Sequence, residues 1–252
     1  MTTDPLAPLL ALADIAPAVE RARDRVDQAL RHRALRRQGG QVAAEISLRS
    51  AVASAALEGH GYDRESVRAG TVTDPVVQGA LRVAGALPGL ADQWPRAPRQ
   101  VLARLHVLAA RDVVPAEELG RPVGDLAGGG PAGSALAARL DGLADLVAGR
   151  AAGSPLVLAA VVHGELLALR PFAGPSGVVA RAAARLTLLS TGFDPRGLVA
   201  VEVGHQEREP EYVGAAGAFA TGTPDGLRSW LRHYLTAVDL GAAQLTQVAD
   251  EL

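Results

Sequence analysis

The chain has 252 residues, 48% hydrophobic and 21% charged, which is enough apolar material for a sizeable buried core, and its formal net charge is -2. That balance leaves no basic footprint for a nucleic-acid backbone, and the lack of cysteine excludes disulfides, thiolate nucleophiles and Cys-ligated zinc. Lysine and asparagine are absent too, so a Walker A loop, a Schiff-base enzyme and a papain-type site are excluded.

All 25 Lys+Arg positions are arginine, and together with the weight of Ala, Gly, Val and Leu this points to coding bias. A missing Lys or Asn at one position therefore says little; a missing His says more. Met1 to Ala13 has no positive n-region, and no run approaches the roughly 18 apolar residues of a membrane span. A cytoplasmic protein with no membrane partner is expected.

Apolar residues at helical spacing predict a first helix over Ile15 to Leu35, with Arg31 to Arg37 as its solvated end. Gly39 and Gly40 break it. A second helix is predicted from Val42 to Leu57, stopped by Gly59. Further helical patterns cover Ser66 to Ala69, Pro75 to Ala86, ended by Pro88 and Gly89, and Ala97 to Ala110.

Val113 to Ser134 is rich in Gly and Pro and reads as loop, with room for a short hairpin around Gly120 to Leu126. Helices follow at Ala135 to Ala148 and at Pro155 to Leu169, where Pro155 takes the first helical position. The breaker cluster Arg170 to Gly177 separates the latter from a helix at Val178 to Ser190. Tyr212 to Ala220 and Gly226 to Val248 are the last two. His205, Glu207 and Glu209 lack ligand spacing and read as loop. His163 and Glu165 read as a satisfied core histidine and a solvated carboxylate.

The reading is all-α: an N-terminal helical segment 1–38, a domain 39–238 and a helical tail 239–252, forming one compact domain. Gly128 to Gly133 satisfies GxGxxG, which would suggest a nucleotide-binding oxidoreductase. That mechanism requires a βαβ unit, and the flanking sequence is a poor strand with none following.

Two motifs carry a resemblance. Arg170-Pro-Phe-Ala-Gly-Pro-Ser-Gly-Val-Val-Ala-Arg181 resembles the Fic signature HPFx[D/E]GNGRxxR. Arg170 replaces the His, Gly174 the acidic residue, Pro175 the first Gly, Ser176 the Asn and Val178 the first Arg; Gly177 and Arg181 match. Upstream, Ser54-Ala-Ala-Leu-Glu58-Gly59 resembles the family's inhibitory-helix pattern [ST]xxxE[GN], here in a helix near 42–58. Tyr212 and Trp230 lie in a tail that looks like the family's, and the resemblance spans roughly residues 40 to 238.

The resemblance implies a Fic-like helical domain with a flap at Val123 to Gly133. Its His would be a general base, its acidic residue would hold magnesium, and Glu58 would reach the second motif arginine, Arg181. Arginine stays protonated and cannot serve as base. Glycine offers magnesium no oxygen. Pro175 deletes one N–H of the anion hole at the helix start and leaves Ser176 as an ordinary cap.

The expectation is accordingly a pseudoenzyme of the adenylyltransferase (AMPylation) family. It would bind a protein partner, or a nucleotide or phosphate ligand held by Arg170, Gly174, Ser176, Gly177 and Arg181, with Ser54, Glu58 and Gly59 regulatory. No metal and no cofactor are expected; ATP with magnesium enters only if transfer is retained. The alternatives are an adenylyltransferase or related phosphate-group transferase of altered chemistry, in which Arg170 clamps a phosphate, and a structural domain forming a homodimer. Glu58 could also be an exposed last-turn residue without a partner.

Overall fold

The computed structural model describes residues 4–123, 133–149 and 153–252. Its helices are α1 (Ala7–Leu10), α2 (Ile15–Leu30), α3 (Gly39–Ala56), α4 (Arg64–Arg68), α5 (Pro75–Leu90), α6 (Pro98–Ala110), α7 (Gly133–Ala148), α8 (Pro155–Leu169), α9 (Ser176–Ser190), α10 (Val201–Glu207), α11 (Glu209–Ala220) and α12 (Pro224–Glu251). Single 3-10 turns lie at Arg33–Arg36 and Ala116–Glu118. No strand occurs among the described residues, and no helix there is long and apolar enough to cross a membrane. The architecture is all-α.

The centre is the antiparallel pair α8 and α9, joined by residues 170–175. Every residue from Val178 to Leu188 is buried. Such a helix can be enclosed on all sides because its side chains are small or apolar, apart from Arg181 and Arg185, which must then find partners inside. α3, α5, α6 and α8 pack around α9, and α12 covers α2, α10 and α11.

Two tryptophans fix this packing through their single donors. Trp94 Nε1 donates to Thr187 Oγ1 of α9 at 3.0 Å, and Trp230 Nε1 of α12 donates to Ala160 O of α8 at 2.7 Å. Where α10 crosses α12, a Cβ on Gly204 would collide with the backbone of Ala237, so only glycine lets the two helices come this close.

Several sequence expectations need correction. The first helix ends at Leu30, and Arg33–Arg36 is a separate 3-10 turn whose buried Leu35 anchors it to the core. α5 continues through Pro88 to Leu90, because Leu87 and Leu90 are both buried and their packing holds the last turn across the proline. His205 and Glu207 belong to α10 rather than to a loop, and His205 is 1% exposed. α12 runs across positions 238 and 239 without a break.

The hairpin expected around Gly120 to Leu126 forms no strand in its described part, 120–123. The rest of it, most of the flap at Val123 to Gly133 and most of the GxGxxG at 128–133 lie outside the described residues. The βαβ frame which that motif needs is absent from the described residues.

Candidate functional site

Arg170 ends α8 in the left-handed region, with φ 43° and ψ 57°, and its N–H returns to Leu166 O at 3.0 Å. A non-glycine residue there costs roughly 1 kcal/mol, so the following loop must be held from elsewhere. His106 of α6 holds it. Its ring stacks on the buried Phe172 at 4.6 Å between centroids. Its Nδ1 accepts the Gly120 N–H at 3.0 Å, which places the proton on Nε2, and Nε2 donates to Ala173 O at 2.9 Å. Burial pushes the imidazole's pKa down, against the pull of the Ala173 bond and the Glu118 charge, and this keeps the ring neutral. The Val123 N–H adds a bond to Pro171 O at 2.8 Å.

Past the loop, Gly174 has φ 68° and a Cβ there would press on Val114 Cγ1 at 3.0 Å. Ser176 does not cap α9. It is the first helical residue, its buried hydroxyl has no hydrogen-bond partner among the described residues, and Pro175 stands at the cap position without a side-chain bond. The reason is local: Pro175 fixes its own φ, and the Ser176 N–H turns back to Gly174 O at 2.8 Å, which brings Ser176 into the first turn.

The end of α3 meets the start of α9. Gly59, at φ 88°, turns the chain out of α3, and the His60 N–H closes on Ala55 O at 3.0 Å. This presents Glu58 to α9, where its Oε1 lies 2.6 Å from Arg181 Nη2. The Arg181 guanidinium is nearly saturated: Nε donates to Ser54 Oγ at 2.9 Å, Nη2 also to Ser54 O at 2.8 Å, and Nη1 to Tyr212 OH at 3.1 Å. Glu58 is thus partnered, and its side chain is only 20% exposed. A Cβ on Gly177 would collide with Glu58 Oε1. The carboxylate therefore rests against the first turn of α9, where the helix dipole favours an anion.

The structure brings Ser54, Glu58, Gly177 and Arg181 together and leaves Arg170 and Gly174 exposed on the loop. Arg185, one turn beyond Arg181, points elsewhere: its Nη2 donates to Gly197 O at 2.7 Å. Glu165 is not solvated, since both its oxygens are bound by Arg139 at 2.6 and 2.7 Å.

No Asp or Glu stands between positions 170 and 181, so this loop offers magnesium no carboxylate. The carboxylate at the helix start, Glu58, is engaged by Arg181. The residues present do not fit a metal-phosphate site of the kind the motif implies.

Sequence reasoning missed His106 and the depth of the polar network behind Arg181. Tyr212 OH accepts from Arg181 and lies 3.0 Å from His163 Nε2, and His205 Nδ1 lies 2.9 Å from His233 Nε2. Burial drives the pKa of His163 and His205 well down, and the nearby Arg181 charge adds to this. His163 is enclosed and hydrogen-bonded, 1% exposed.

No family model matches the sequence, and no curated protein matches it. Solved structures do. A Fic family protein from Desulfovibrio desulfuricans G20 superposes with a TM-score of 0.68 at 22% identity, over 93% of this chain and 74% of that one. Residues 134–508 of Fic-1 from C. elegans give a TM-score of 0.75 at 18% identity, over 97% and 75%. A Fic domain containing signaling protein from Bacteroides thetaiotaomicron gives 0.65 at 14% identity, over 93% and 98%. With α8, the 170–175 loop and α9 at its centre and the Glu58 turn docked on Arg181, the chain has the fold of Fic-domain proteins.

Proposed function

We propose that this chain is a cytoplasmic Fic-fold protein without nucleotidyl transferase activity, which acts by binding a protein partner or a phosphate-bearing ligand at the 170–181 loop. The observation that carries the reading is the pair of substitutions at Arg170 and Gly174. A general base must give up its proton near the working pH, and a guanidinium does not. A glycine cannot ligate the magnesium that would bridge phosphates.

Binding remains chemically reasonable. Arg170 is exposed at the end of α8, on the loop that leads into α9, and the dipole at the start of α9 favours anions. Glu58 occupies that neighbourhood in competition with any such ligand, so replacing it should favour binding without creating transfer.

The experiment is labelled-nucleotide transfer with magnesium, read by mass spectrometry, on the wild type and on Glu58→Gly, alongside titration calorimetry with ATP in both forms. No transferred group from either protein is the expected result. Transfer by Glu58→Gly would defeat the proposal in favour of a transferase of altered chemistry, and no binding by either form would defeat the phosphate-ligand reading.

A further inference from the structure

Behind Arg181 the core contains polar atoms that its side chains leave unsatisfied. Two small cavities, each of about 10 Å³, flank the Arg185–Glu202 pair, and both of those residues line both cavities. One cavity is also lined by Ser50, the other by His163, His205 and Tyr234. Ser50 Oγ, His163 Nδ1, Arg185 Nε, Glu202 Oε2, His205 Nε2 and Tyr234 OH are all buried and without a hydrogen-bond partner among the described residues. Each of these residues is at least nine-tenths buried. Arg185 Nη1 and Glu202 Oε1 stand 3.7 Å apart, beyond direct hydrogen bonding.

We propose that Arg185 and Glu202 form a water-bridged ion pair, with one ordered water in each flanking cavity. Volume sets the number: a cavity of about 10–15 Å³ holds a single water. Charge sets the ligand. The Arg181 and Arg185 guanidinium groups are matched by the Glu58 and Glu202 carboxylates, so a neutral molecule fits and an ion does not. Chemistry agrees, because the cavity walls present both kinds of group. Arg185 Nε–H can only donate and Glu202 Oε2 can only accept. Tyr212 OH accepts from Arg181 and lies 3.0 Å from His163 Nε2, and His163 Nδ1 is a donor or an acceptor according to the ring's tautomer, either of which a water can meet. A water can serve donors and acceptors at once, typically with about three bonds, so two waters cover all six atoms where one could not.

The second water would tie α10 and α12 to His163, and through Tyr212 to Arg181 and the Glu58 turn. It would thus support the candidate site from behind, whether or not the chain transfers anything.

An atomic-resolution crystal structure of the full chain, with water-to-imidazole cross-relaxation measured by NMR, tests the proposal. One water per cavity is expected, each within hydrogen-bond distance of at least two of the named atoms. Direct Arg185–Glu202 contact with collapsed cavities, or an ion in either, would overturn it. Ser50→Ala and Tyr234→Phe provide a sign test that keeps the core's shape. If the hydroxyls bind water, each variant lowers the unfolding midpoint; if they are unsatisfied, removing them raises it.

Discussion

Glu58 and Gly177 are in contact across the junction of α3 and α9, and the contact requires that residue 177 have no side chain. The carboxylate lies against the backbone of the first turn of α9 while its Oε1 bonds Arg181 Nη2 at 2.6 Å. Gly177→Ala should displace the carboxylate and cost about 1–3 kcal/mol through the lost charged bond. In a Glu58→Ala background the same change should cost less, because the collision with the carboxylate is gone, alanine is the better helix former and only the approach to Arg181 Nη1 at 3.0 Å remains. A double-mutant cycle by urea denaturation reads the difference, and additive effects would mean that the two residues do not interact.

Glu58→Ala alone should destabilise less than the roughly 3–5 kcal/mol expected for breaking a buried pair. Arg181 keeps Ser54 Oγ, Ser54 O and Tyr212 OH as acceptors, so its charge is not left bare. A loss of about 1–3 kcal/mol is expected by equilibrium denaturation. Ser54→Ala combined with Glu58→Ala should cost more than the sum of the two, since the guanidinium then loses two side-chain partners.

His106 is the clasp of the 170–175 loop. His106→Ala removes a buried stacked ring and two hydrogen bonds, and should cost about 2–4 kcal/mol. Amide exchange at Gly120 and at the loop residues should accelerate with it. His106→Gln, which can both donate and accept, should recover part of the protection; equal loss in the two variants would argue that stacking on Phe172 is all that matters.

Acid should weaken the fold through its histidines. Burial lowers the pKa of His163 and His205, and that of His233 from 6.5 to about 4. The folded state holds these rings neutral while the unfolded chain takes up protons first. The His233 contribution is therefore complete above about pH 6.5 and is lost as pH falls toward about 4, and the His163 and His205 contributions are likewise lost as pH falls. His233 alone accounts for about 3 kcal/mol across that window. Urea midpoints measured through the window should fall, and His233→Gln should flatten the curve.

The long helices α3, α7, α8 and α9 were readable because their apolar or small residues recur over many turns and breakers bound them. α10 was not, because it has only seven residues and its polar side chains give no period. The approach of Glu58 to Arg181 was anticipated through two short motifs in the right order, although 123 residues separate them. Nothing comparable marks His106, whose partners lie 14 and 67 residues away in segments with no pattern of their own.

By itself the sequence determined the all-helical class, the breaker cluster at 170–177 and the absence of any His, Asp or Glu from positions 170–181, because these follow from residue type and local periodicity. Only the tertiary structure decided that Arg181 also engages Ser54 and Tyr212, that His106 pins the loop, and that α9 is enclosed with two arginines inside. Those facts depend on which distant groups meet, and burial then sets what each meeting costs or contributes.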